Sequence, residues 1–526
     1  MNSNIRIHIV LGCMIVLYSV AIIGIMPTVS AFYDAAQVFY LAKYFSSSGT
    51  FPAYGIINSQ MLYNPPFFVW YYYIPAIFTS DPGLLTIVPA LPAQIVTMVL
   101  LYLIGRDYFR PIMGLVVATL YAFTPLGMVL GRIGWAHAFV APLYVAIVFC
   151  LFRWLISRQN IYIIPLIVLC GWITGVHLAG ALTFVVVAAS AFVSRTLPSP
   201  RLLIIGLGLL VLLYTPFLIF QYSRGFADII GLVQPPANPI SPTELSPLCP
   251  PDWNATLPSA TLAEGVTVGN FGTSMVRAIY NNYYFRTPWS VYEHIIVFTF
   301  VPLFGLACMR LIYHIVRRRA TPAEYLLLLV FGIPLILQNL TSFNTIARPD
   351  ITWMLFGVQM LIIGYGITVP TYMQARPMQI AVIVALSLMI GYQSYQAGQT
   401  LGAWGRGDLY DGRQEIADAI AADAAPRGLQ AVAIRYDFLR DDPSVCWIVG
   451  MSTIIDTGYI GTEFDYYLHF MHKLPNLAQT PDGWVEDPDY IVTRAASPRA
   501  AYYAKYPERY VSLQARPPYQ VWYHQR

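Results

Sequence analysis

Eleven apolar runs, almost free of charge, punctuate this chain at about residues 8–27, 84–105, 111–130, 136–155, 161–176, 178–194, 202–221, 294–314, 323–340, 351–369 and 378–394. About 20 apolar residues in a helix cross the ~30 Å hydrocarbon core of a bilayer. A helix also satisfies its own backbone hydrogen bonds where no water is present. The expected fold is therefore an α-helical polytopic membrane protein with about 11 transmembrane helices. Composition agrees: the 526 residues are 57% hydrophobic and 11% charged, against about 25% charged in soluble proteins. The narrowest division falls at Thr174–His177, where one long apolar stretch has to break for the number of spans to be odd. At the N-terminus, Arg6 and His8 precede the run Ile9–Met26, and Val29-Ser30-Ala31 resembles a cleavage site, so a signal peptide is the competing reading. Eighteen residues exceed the ~7–15 of a signal-peptide core, and the run is read as the first span.

Positive charge sets the direction, because short cytoplasmic loops carry the excess of Lys and Arg. With the N-terminus cytoplasmic, the inner turns hold Arg6, Arg106, Arg110, Arg153, Arg158, Arg195, Arg201, Arg317, Arg318, Arg319 and Arg376. Residues 28–83 and 222–293, the short loop 339–350 and the tail 395–526 then face outward. Tyr63–Ile74 is apolar but short, rich in Tyr and Trp and flanked by Pro65, Pro66 and Pro75, which predicts an interfacial or re-entrant helix. In the tail, an amphipathic helix over Gly412–Ala424 and short strands at 429–434, 445–450, 490–493 and 510–513 predict a small extracytoplasmic α/β domain. The expected division is a membrane domain over 1–394 and a C-terminal domain over 395–526. A net charge of +4, spread along the chain, offers no nucleic-acid footprint. Cys249 and Cys446, alone among six cysteines, lie in outward polar regions; a bridge and two separate thiols are both open.

Charge beside a membrane span is expensive and marks function by default. Asp34 follows the first span in Ser30-Ala31-Phe32-Tyr33-Asp34-Ala35-Ala36-Gln37-Val38-Phe39-Tyr40, whose spacing predicts a helix at the outer interface. A helix cap is the plain alternative for this residue. An acid after the first span, an interfacial helix and a Pro-Pro-aromatic stretch together resemble the first outer loop of the GT-C glycosyltransferases. These use polyprenyl-phosphate sugars and include protein O-mannosyltransferases and aminoarabinose transferases. Leu101–Phe109 and Ala347–Trp353 are similar to further segments of that family.

The resemblance implies a membrane glycosyltransferase, inverting, with a lipid-linked sugar as co-substrate and a glycan, lipid or protein as acceptor. Asp34 would be the general base. Lys43, Arg132, Arg224, Arg277, Arg286 and Arg348 are the outward cations available for the departing phosphate, with Arg132, Arg286 and Arg348 nearest the span ends and Lys43 beside them in the assigned set; headgroup anchoring is their plain alternative. His137, Tyr63 and Asn64 would contact donor or acceptor. Asn64 stands where the family has a basic residue, Ala35 where it often has Glu, and Ala136-His137-Ala138 where many members have Pro-Asp-Ala. The sequence thus supports neither a divalent metal nor another resident cofactor. A transporter or flippase is the alternative class and predicts mid-span charges and matched half-repeats with broken helices, which the sequence does not display. A non-catalytic sensor that binds through its outer tail is the third reading.

Overall fold

The computed structural model describes residues 3–24, 33–56, 62–233, 291–340, 354–368, 413–436, 467–474, 488–494, 498–516 and 519–525, with scattered helical positions between 384 and 395. The chain divides into two compact units, one of residues 1–27, 86–215 and 261–402, the other of 28–85, 216–260 and 403–526.

The first unit is helical. Its described helices are α1 (Ser3–Gly24), most of α4 (Pro82–Tyr108), α5 (Pro111–Phe123), α6 (Pro125–Leu130), α7 (His137–Leu151), α8 (Ile163–Val176), α9 (Leu182–Val193), most of α10 (Pro200–Ser223), α12 (Val291–Val316), α13 (Pro322–Leu340) and α14 (Phe356–Thr368). Among the described residues, Ile7–Gly24, Pro82–Tyr108, Ala138–Ile156 and Pro200–Ser223 are long and apolar enough to cross a membrane. Every residue of α14 is buried, as a helix that is apolar all round requires, and it packs on α5, α7, α12 and α13. On α1 and α10, by contrast, Val16, Val20, Ile23, Ile204, Val211 and Ile219 are exposed, the surface a lipid-facing helix presents.

One expected span is interrupted, and one expected division is present. The run 111–130 breaks between α5 and α6 because Pro125 has no N–H and drives Thr124 to ψ 157°. The long stretch over 161–194 breaks at His177, which is extended at φ −153° and accepts a hydrogen bond on Nδ1 from Ala179 N–H. Beyond it the chain folds back so closely that a Cβ on Gly180 would lie 2.6 Å from the Ile173 carbonyl. The run 378–394 lies largely outside the described residues.

Prolines inside the apolar helices each free the carbonyl four residues earlier, and in a bilayer that group needs a protein donor. Pro142 frees Ala138 O, which accepts from Gln94 Nε2 on α4 at 2.8 Å. Pro334 frees Val330 O, which accepts from the Tyr144 hydroxyl on α7. Helix α7 is thereby tied to α4 on one side and α13 on the other.

The helix ends that carry Arg106, Arg153 and His314 meet at one end of this unit. Asp107 accepts from Arg106 at 2.6 Å and Arg153 at 2.7 Å. Phe109 packs on Phe152 and Tyr365, and the Tyr365 hydroxyl donates to Glu324. Glu324 also holds His314 Nδ1 at 2.9 Å and forms a reciprocal cap with Thr321.

In the second unit, α2 (Tyr33–Ser48) packs along α3 (Phe67–Phe78). It buries the stripe Ala35, Val38, Phe39, Ala42 and Phe45. The expected interfacial helix begins later than its apolar stretch: 63–65 carry no helix, and the helix runs from Phe67 through Pro75 to Phe78. At about 1.5 Å per residue, 12 residues reach roughly 18 Å, too short to span. The short helix α11 (Ala227–Val233) follows α10.

The tail contributes α15 (Arg413–Ala424), β1 (Ile434–Tyr436), β2 (Tyr490–Arg494), α16 (Pro498–Ala504), β3 (Tyr510–Arg516) and β4 (Tyr519–His524). The strands form one sheet in the order β1-β2-β4-β3, with β1 parallel to β2 and the other pairs antiparallel. Ile491, Ala500, Tyr503 and Trp522 form its core. Strand β4 was not expected from the sequence; its alternation Tyr-Gln-Val-Trp-Tyr-His follows Pro517-Pro518 and is the signal for it. The expected strand at 445–450 lies outside the described residues.

Candidate functional site

Asp34 is the second residue of α2, and His137 is the first residue of α7. Arg286 and Arg348, and with them Cys249 and Cys446, lie outside the described residues. The geometry of Lys43, Tyr63, Asn64 and Arg132 is described.

Lys43 is half-buried on α2, and its Nζ donates to Ala76 O at 2.8 Å and Thr79 O at 3.3 Å. These are carbonyls at the end of α3, which have no helical donor. A cation there also meets the negative end of the helix dipole. Burial pushes the Lys43 ammonium below its ordinary value. Two of its three N–H groups are therefore committed to holding α2 against α3.

Tyr63 and Asn64 lie on a short pairing between 55–56 and 64, in which Gly55 N–H donates to Asn64 O at 2.7 Å and Asn64 N–H to Ile56 O at 3.1 Å. A Cβ on Gly55 would meet Pro65 O at 2.5 Å, so this approach requires glycine. Trp70 Nε1 donates to Pro52 O at 3.0 Å and closes the loop onto α3.

The Tyr63 N–H leads to a carboxylate that sequence reasoning passed over. It donates to Asp228 Oδ1 at 3.2 Å, and Gln221 Nε2 donates to Asp228 Oδ2 at 2.6 Å. Arg224 Nε lies 3.4 Å from the same carboxylate. Asp228 is buried at 5% exposure, which only such partners make affordable for a carboxylate. The Arg224 guanidinium sits 4.8 Å over the Tyr63 ring and 5.5 Å from Phe220. Tyr54 stacks on Phe220 at 4.6 Å. Burial, with Tyr63 and Tyr44 adjoining, raises the Tyr54 phenol above its ordinary value. An acid just past the end of an apolar run was the available signal for Asp228. Farther along the same unit, Tyr40 on α2 packs on Phe470 at 5.1 Å and His469 at 6.2 Å, and burial lowers the His469 imidazole below its ordinary value.

In the first unit, Arg132 stands in the turn between α6 and α7. It is half-buried, and burial pushes its guanidinium down from its ordinary value. Among the described residues its side chain has no hydrogen-bonding or ionic partner. A crowded, always-charged group in that state favours an anionic ligand. Also among the described residues, no three His, Cys, Asp or Glu side chains are grouped to hold a metal ion.

No protein-family model matches the sequence, and no curated protein matches it. Solved structures do. The chain is similar to ArnT from Cupriavidus metallidurans bound to undecaprenyl phosphate, with a TM-score of 0.56 and 11% identity over 99% of this chain and 98% of that one. The apo state of the same protein matches at a TM-score of 0.50 and 12% identity, covering 97% of each chain.

Proposed function

We propose, from the GT-C fold that this chain shares with ArnT, that it is a membrane glycosyltransferase taking its sugar from a polyprenyl-phosphate carrier. The match over 99% of this chain to a protein that binds undecaprenyl phosphate carries the reading. The N-terminus and the arginine-rich turns lie in the cytoplasm of a cell with this protein in its cytoplasmic membrane, and transfer takes place on the outer face.

An acceptor hydroxyl or amine attacks the anomeric carbon of the bound sugar. Asp34 takes the acceptor proton as the new bond forms. The bond from the anomeric carbon to the phosphate oxygen breaks, the configuration inverts, and polyprenyl phosphate leaves with the electron pair. Arg132, Arg286 and Arg348 stabilise the charge that develops on the phosphate. Among the described residues the Arg132 guanidinium has no partner, which supports its place in that set. Lys43, with two of its N–H groups committed to α3, holds α2 in place, and Tyr63, Asn64 and His137 contact donor or acceptor. No step requires a resident cofactor.

The test is incubation of detergent-purified protein with a panel of labelled polyprenyl-phosphate sugars and an acceptor extract. Transfer of label from at least one donor is expected. Intact donors throughout, with folded protein that binds no lipid phosphate, would overturn the reading and leave a transporter or a sensor in its place.

A further inference from the structure

Gln94 has no exposed surface and lies within the long apolar stretch of α4. A buried amide there has to be satisfied or it destabilises the fold. Its Nε2 donates to Ala138 O at 2.8 Å and to Leu130 O at 3.4 Å, while its Oε1 accepts from the Tyr121 hydroxyl at 2.6 Å. The two carbonyls are ones that helix geometry leaves without donors. Pro142 cannot serve Ala138, and Leu130 ends α6. The Tyr121 hydroxyl sets the amide's direction, because the reversed amide would turn its oxygen toward two carbonyl oxygens.

The two carbonyls bracket the turn that holds Arg132 and ends at His137, so one side chain clamps both ends of that segment. A guanidinium with no described partner keeps its position only as well as its backbone does. We propose that Gln94 is a positioning residue for sugar transfer. It fixes the 131–137 turn so that Arg132 meets the phosphate of the lipid-linked donor, and Tyr121 keeps it in the productive orientation. This rests on the transferase reading above.

The test uses full-length protein in detergent and undecaprenyl phosphate as the probe, with wild type, Gln94→Leu, Arg132→Ala and the double variant at recorded melting temperatures. Gln94→Leu is expected to weaken lipid-phosphate binding by about tenfold, the scale of one charge-assisted hydrogen bond, and to add no further loss when Arg132 is already Ala. An equal loss in both backgrounds would mean that Gln94 only supports the fold, and would overturn the proposal. Tyr121→Phe keeps the amide and removes only its orienting hydroxyl. It should show the same dependence on Arg132 at smaller amplitude, and it serves if Gln94→Leu does not fold. A second measurement is independent of any ligand: hydrogen exchange of the amides of Arg132, Ala138 and Phe139 should quicken in Gln94→Leu, and unchanged exchange would also overturn the proposal. Failure of the transferase reading looks different, as wild-type protein that transfers no sugar while the exchange experiment still responds to Gln94.

Discussion

Asn nearly matches Asp in shape and caps helices as well, so Asp34→Asn separates a base from a structural carboxylate. Loss of a general base costs about 10²–10⁴ in rate, or roughly 3–5 kcal/mol of barrier. The variant is expected to lose transfer on that scale while melting at the wild-type temperature and binding undecaprenyl phosphate as before. The measurement is turnover of the lipid-linked sugar by the two purified proteins; a rate within about threefold of wild type would remove Asp34 from the mechanism. Asp34 stood out in the sequence because a charge beside a span is rare. Asp228 and Gln94 did not, because their importance lies in partners 165 and 44 positions away. Nothing local distinguishes a buried, satisfied amide from an incidental one.

At the level of elements, the apolar runs became helices largely where expected, and the differences trace to proline. Pro125 splits one span, and Pro142 and Pro334 leave carbonyls that Gln94 and Tyr144 satisfy from neighbouring helices. The proline positions were visible beforehand, but the identities of the rescuing donors were not. Lys43 illustrates the same limit. The sequence offered it as a phosphate-binding cation, and the fold commits two of its donors to the last carbonyls of α3. Lys43→Met retains the apolar stem and removes the ammonium. It should cost about 1 kcal/mol of stability, as expected for a charge at a helix C-terminus, with little change in lipid-phosphate affinity. Thermal unfolding and a binding titration on one preparation check both; a loss of affinity without a loss of stability would return Lys43 to the phosphate site.

For the whole molecule, arginine placement is the basis of the proposed direction in the membrane. The turns containing Arg106, Arg153 and His314 meet at one end of the helical unit through Asp107, Phe109, Tyr365 and Glu324, the end that the proposed orientation places in the cytoplasm. A cysteine replacing Ile240, with Cys249 and Cys446 changed to Ser, should therefore react with an impermeant thiol reagent in intact cells. Reaction only after permeabilisation would place that loop inside and sink the outer-face mechanism. The sequence alone determined the membrane-spanning class, because a run of some 20 uncharged apolar residues has few stable states other than a spanning helix. It also carried a resemblance to a known family, through an acid, an interfacial helix and paired prolines in one loop. Only the tertiary structure decided which side chains meet. The Tyr63–Asp228 bond and the clamp of Gln94 on two stranded carbonyls arise from packing between distant segments, where the energy of a polar group depends on its neighbours rather than on its place in the chain.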